Sequence, residues 1–184
     1  LKQILELSEQ DINKIKQSIH DKKGWHLLSA FYFSNSYQQG RLNMDSNIKQ
    51  KVLELLKPEQ MVLLATSFEN QPAVRPMTMI HNKERFYFAT GSQDAKTKQI
   101  TSNPKVELCL LIKGDNCTGY IRASGNMECI TDNSIRKEIY DEASFLHHYW
   151  RAADDIDFIL YHLQCEKIEY MKPGENLSQK FDWI

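Results

Sequence analysis

The sequence predicts a mainly β protein, a closed antiparallel barrel of six strands with helices at its periphery. Three observations carry the prediction. Six segments show the two-residue alternation or the short apolar runs of strands. Most connections between them are as short as hairpin loops. Few helical segments intervene, whereas a parallel sheet needs a crossover after each strand.

Ser8 can cap a first helix, with Asp11 three residues later and Ile12, Ile15 and Ile19 at helical spacing. Gly24 is its stop, an aromatic run from Trp25 to Phe33 follows, and Ser34 to Arg41 is polar. Residues 1–45 are read as a helical extension that packs on a barrel domain of residues 46–184, because 45 residues alone would be marginally stable. Ser46 opens a second helix, Ile48, Val52, Leu55 and Leu56 form its stripe, and Pro58 ends it.

From residue 61 the period becomes that of strands. Met61 to Ser67, Ala73 to His81 and Arg85 to Thr90 read as an antiparallel meander with turns of about four residues at Glu69 to Pro72 and His81 to Glu84. Asp94 caps a helix that Asn103-Pro104 ends. Val106, Leu108, Leu110 and Ile112 share one face of a fourth strand, and Gly114-Asp115 suits a two-residue hairpin loop. The fifth strand runs from Cys117 to Ile130, with Gly119 and Gly125 as candidate bulges. Thr131-Asp132 caps a helix over 133–142, and Phe145 to Trp150 is a short aromatic segment read as packing. Phe158 to Met171 is the last strand, broken by Pro173-Gly174, and Trp183 either folds back on the barrel or is disordered.

Composition narrows the function. The 184 residues carry a formal net charge of -1, from 23 basic and 24 acidic side chains, so no global field draws the chain to nucleic acid or an anionic membrane. No apolar run reaches the length of about 20 residues that spans a bilayer. Cys109, Cys117, Cys129 and Cys165 form no C-x-x-C pair, and they read as buried free thiols of a cytoplasmic protein. His147-His148 is the only adjacent histidine pair, and neighbours on a helix do not share a face, so no metal site is expected.

The chemistry-bearing residues lie between 73 and 100. Alternation puts Arg75, Met77 and Met79 on one strand face and Val74, Thr78 and Ile80 on the other. An Arg among apolar residues needs an anion or a route to water. Pro76 lacks an N–H, so its strand should have a free edge there. The run Phe86 to Ser92 leads through a loop to Lys96, Thr97 and Lys98 at a helix start, where N–H groups and ammonium groups suit a phosphate.

The order of these stretches, Arg75-Pro76-Met77, Phe86-Tyr87-Phe88-Ala89-Thr90, Lys96-Thr97-Lys98-Gln99-Ile100 and Asn103-Pro104-Lys105-Val106, resembles the pyridoxamine 5′-phosphate oxidase-like split barrels that bind FMN. The resemblance covers about residues 46 to 172, and the late segment from Asp154-Asp155-Ile156-Asp157-Phe158 through Ile168 to Gly174 looks like the last strand of the general-stress-protein-like members. It implies a six-stranded split barrel working as a homodimer, with FMN at the interface. Arg75, Ser92, Lys96 and Thr97 would serve the phosphate. Pro76, Met77 and Thr78 would lie along the flavin ring, Ala89 and Thr90 beside the ribityl chain, and Tyr120 to Arg122 of the facing subunit would complete the site.

Two departures matter. Ala95 and Ile80 stand where true pyridoxamine phosphate oxidases carry Arg and Lys, and the tail lacks the Arg-x-His that grips pyridoxal phosphate. The resemblance therefore implies an FMN-dependent oxidoreductase, using NAD(P)H on a small molecule, rather than a vitamin B6 oxidase. The competing readings are a flavin-binding stress, storage or sensor protein without turnover, the same barrel holding a deazaflavin, haem with His81 or His162 as axial ligand, and a ligand-free barrel whose dimer surface is its function.

Overall fold

Alternation sorts each strand's side chains into an inner and an outer set, and pairing of the third strand with the sixth makes the inner set a core. The computed structural model describes residues 46–183, so the helix expected after Ser8 and the run Trp25 to Phe33 lie outside the described residues. Residues 46–55 form helix α1, which buries Ile48 and Val52 and stops before Pro58.

The strands are β1 (Glu59–Phe68), β2 (Gln71–Asn82), β3 (Arg85–Gly91), β4 (Lys105–Lys113), β5 (Thr118–Cys129), β6 (Phe158–Met171) and β7 (Gln179–Asp182). Helix α2 (Ala95–Ser102) lies between β3 and β4, and helix α3 (Asn133–Glu142) with a 3-10 turn (Ser144–His148) lies between β5 and β6. The sheet order is β3-β2-β1-β4-β5-β6-β7, all antiparallel, and β3 also pairs with β6. Six strands thus close the expected barrel, and β7 is an addition that the sequence reading missed. The first part of β6, 158–163, pairs with β3, and 167–170 pairs with β7, so β7 covers the edge that β3 leaves open.

Two short hairpins fix the register. Glu69-Asn70 and Lys83-Glu84 all have positive φ, between 49 and 63°, which matches the strand twist. These turns are tighter than the four residues expected. The β4–β5 connection departs the other way. It spans 114–117, closed by Gly114 N–H donating to Cys117 O at 2.9 Å, rather than two residues. The β5–β6 register shifts opposite Ser124/Gly125, where Glu166 of β6 is the extra residue, so Gly125 marks the irregularity as expected but faces the bulge rather than forming it, while no shift occurs at Gly119.

The barrel is split along β2. It pairs with β1 over its length but with β3 only at Ile80, His81 and Asn82. The stretch 71–79 therefore has a free edge, and Pro76 lies on it as expected.

Val62, Leu64, Met79, Phe86, Phe88, Leu108, Ile121 and Ile168 fill the interior. A second cluster lies outside β3 and β6, where Tyr87, Phe158 and Leu160 meet Ile139, Tyr140 and Leu146. Burying each of the larger aliphatic side chains stabilises the fold by about 1.5–3 kcal/mol. Asp132 caps α3 by accepting from Ser134 N–H at 2.8 Å and Ile135 N–H at 3.3 Å. The thiols correct one expectation, since Cys117 and Cys129 are exposed and only Cys109 and Cys165 are half-buried. Among the described residues, no helix is long and apolar enough to cross a membrane.

Candidate functional site

Where β2 parts from β3, the barrel wall opens into a cleft of about 490 Å³, within the usual range for a small-molecule site. Its first wall is the β2 edge, Pro76, Met77 and Thr78. With one ladder missing, alternate backbone groups of this stretch have no partner on the β3 side. Ala89, Thr90 and Gly91 of β3 form the floor, and Asp94 and Lys96 bring in the start of α2. Phe145, Tyr149, Trp150 and Asp157 close the far side.

The β3–α2 junction concentrates hydrogen-bond donors, and carboxylates engage them. Asp94 Oδ2 accepts from Thr90 Oγ1 at 2.6 Å, from Gly91 N–H at 3.2 Å and from Lys96 Nζ. The Lys96 bond and then the Thr90 bond hold this carboxyl down to about 2. Asp94 therefore occupies the cap position without capping, because its side chain turns to Thr90 and Lys96 instead of the helix N–H groups. Asp157 Oδ1 accepts from Ser92 Oγ at 2.6 Å and from Ser92 N–H at 2.9 Å. These bonds lower its pKa from the ordinary carboxylate value. Thr97 braces the loop by donating to Gly91 O at 2.8 Å.

Arg75 faces the barrel interior with Met77 and Met79. Its guanidinium donates to Thr66 Oγ1 and Gln99 Oε1, both at 2.7 Å. All its partners are neutral, and burial lowers its pKa from the free value. Gln99 lies one turn along from Lys96 on α2, so both cations border the same helix. They share no acceptor, and Arg75, Ser92 and Thr97 are not among the cleft's lining residues.

The aromatic segment does more than pack. Trp150 is held by Phe158, with ring centroids 5.0 Å apart, and its carbonyl accepts from Tyr140 OH at 2.7 Å. Tyr149 is 72% exposed beside it at the cleft mouth. Arg136 pins the following loop through the carbonyls of Ala153 and Phe158, at 2.8 and 2.9 Å. The sequence reading weighs Phe145, Tyr149 and Trp150 as flavin cover but prefers packing, takes Asp94 only as a helix cap, and does not place Asp157 in the site. Tyr120 and Arg122 lie elsewhere. Tyr120 OH donates to Glu169, and Arg122 forms a forked pair with Glu107. His162 lines a separate hollow with Arg85 and Tyr87.

The pyridoxamine 5′-phosphate oxidase family matches residues 48–172. The chain belongs to that family. Its fold is the flavin-binding split barrel of the family. General stress protein 26 of Bacillus subtilis (strain 168) is 29% identical over 133 residues, covering 70% of this chain and 91% of that protein. The crystal structure of General Stress Protein 26 from Bacillus anthracis str. Sterne has a TM-score of 0.62 at 21% identity, covering 74% of this chain and 98% of that one. An FAD-binding protein from Mesorhizobium loti shares the fold at a TM-score of 0.57 and 18% identity, covering 69% and 94% of the two chains. So does a heme binding protein from Mycobacterium smegmatis, at 0.58 and 13%, covering 68% and 53%.

Proposed function

We propose that the chain is an FMN-binding oxidoreductase, working as a homodimer, that reduces a small molecule with electrons from NAD(P)H. The observation that carries this reading is the cleft itself. An unpaired strand edge, a hydroxyl- and lysine-bearing strand-to-helix junction and an aromatic wall meet in one space. The donor set suits a phosphate in kind, with Lys96 as point charge and Thr90 as hydroxyl donor in the cleft, and with Ser92, bonded to the lining Asp157, as a further hydroxyl. The β2 edge offers backbone groups to the polar rim of a flavin ring. Flavin supplies the hydride and electron chemistry when bound, so the protein's share is orientation, electrostatics and water exclusion. In that share, Phe145 and Trp150 screen the cleft and Tyr149 stands where a second planar molecule would enter.

The name FAD-binding on one structural neighbour supports a flavin in this fold, and the single phosphate-type junction favours the mononucleotide. Mass spectrometry of the denatured protein should show FMN, and rapid mixing with NADPH or NADH should bleach the flavin band. A bound flavin that no nicotinamide reduces would leave the binding role and remove the reductase. A haem Soret band or a deazaflavin spectrum in its place would overturn the assignment.

A further inference from the structure

The two carboxylates at the β3–α2 junction are not equivalent. Asp94 has its own cation, Lys96. Asp157 has none, since among the described residues no Lys, Arg or His lies within ion-pair reach of it. Its Oδ1 takes the Ser92 hydroxyl at 2.6 Å and shares the Ser92 N–H with its own main-chain carbonyl, at 2.9 and 3.1 Å. A hydroxyl and an N–H converging on one anionic oxygen is the arrangement that a phosphoryl oxygen accepts.

We propose that Asp157 holds the phosphate seat in the free chain and that a ligand's phosphoryl group displaces its carboxylate from Ser92. This rests on the flavin reading and adds a determinant of ligand choice to it. A phosphate monoester brings a charge of about -1.5 to -2 at neutral pH. Beside an uncompensated carboxylate, one of the two anions must leave or take up a proton. The Asp94–Lys96 pair is neutral as a unit, so Asp157 is the one that leaves. Its departure breaks side-chain bonds only, because the Ser92 N–H keeps the Asp157 carbonyl as partner. Phosphorylated ligands therefore bind against the Asp157 carboxylate, and ligands without a phosphate do not.

The test is titration of the full chain and its Asp157→Asn variant with FMN and with riboflavin. The variant keeps an oxygen acceptor for Ser92 and removes the charge, and a melt without ligand checks its folding. FMN should bind the variant about five- to tenfold more tightly, the size of one screened unit charge at contact range, while riboflavin affinity stays unchanged. Equal tightening of both flavins, or unchanged or weaker FMN binding, would overturn the proposal. If neither protein binds either flavin, the flavin reading fails, and inorganic phosphate decides the role of Asp157. A larger phosphate-induced rise in Tm for the variant supports it, and equal rises sink it.

Discussion

Lys96 has a side chain mostly screened from solvent, and its only partner among the described residues is Asp94. Among the described residues it is the one cation that lines the cleft, since Arg75 turns inward to Thr66 and Gln99. Lys96→Ala should weaken FMN binding by about 1.5–3 kcal/mol, the range for hydrogen bonds to charged groups. An unchanged Kd in fluorescence titration would confine Lys96 to bracing the loop. His81 carries a different prediction. Its Nε2 is buried without a hydrogen-bond partner among the described residues, its ring lies 5.6 Å from Phe86, and burial lowers its pKa. The folded state then binds this proton less readily than the unfolded chain, whose histidine titrates near 6.5. His81 therefore leaves stability intact above that value and costs stability as pH falls through it toward the lower folded value. His162, also shifted down by burial, acts in the same sense. The urea midpoint should drop between pH 7 and pH 5, and His81→Leu should flatten that slope. A slope equal to the parent's would show that the imidazole finds water in solution.

Elements were legible where local chemistry sets them. Asp132 announced α3, Pro58 stopped α1, and the span of β6 followed from its apolar run and the Pro173-Gly174 break. Gly125 shows how close such a reading can come. A Cβ there would fall 2.0 Å from Gln164 O, so the bulge needs a residue without one. Gly125→Ala should cost about 1–3 kcal/mol through forced backbone shifts, seen as a lower urea midpoint at unchanged m-value. A midpoint within error of the parent would mean that the bulge relaxes freely. Strand β7 was not legible because it is four residues long and buries only Phe181, too short for a period to show. Thr90 and Lys96 were legible in the site because strand, loop and helix are contiguous in sequence. Asp157 was not, because its Ser92 partner lies 65 residues away. Asp94 was noticed as a cap for its residue type, and only the fold shows Thr90 and Lys96 taking its carboxylate instead.

On the scale of the molecule, the described residues of the barrel include an exposed apolar face. On the outside of β1, β2 and β4, Met61 is 71%, Val74 63%, Leu111 56% and Leu63 40% exposed. The register gathers them, since Leu63 lies between Pro76 and Cys109, and Ala65 between Val74 and Glu107. The solvent side of an antiparallel sheet normally alternates to polar residues, and a contiguous apolar patch marks an interaction surface. Pro76 belongs both to this face and to the cleft, so whatever covers the face also borders the site. The proposed homodimer would meet the requirement through a two-fold, self-complementary contact. The Arg122–Glu107 pair at one margin then forms part of a polar rim. Sedimentation velocity at micromolar concentration should give twice the mass of the chain. Leu63→Arg should give the single-chain mass with the circular dichroism of a folded β protein, because its side chain is outside the core. The same variant should also bind FMN at least about tenfold more weakly, the loss of one or more contacts of about 1.4 kcal/mol. A monomeric parent would remove the homodimer, whereas a monomeric Leu63→Arg that binds FMN as the parent does would show that each cleft is complete within one chain.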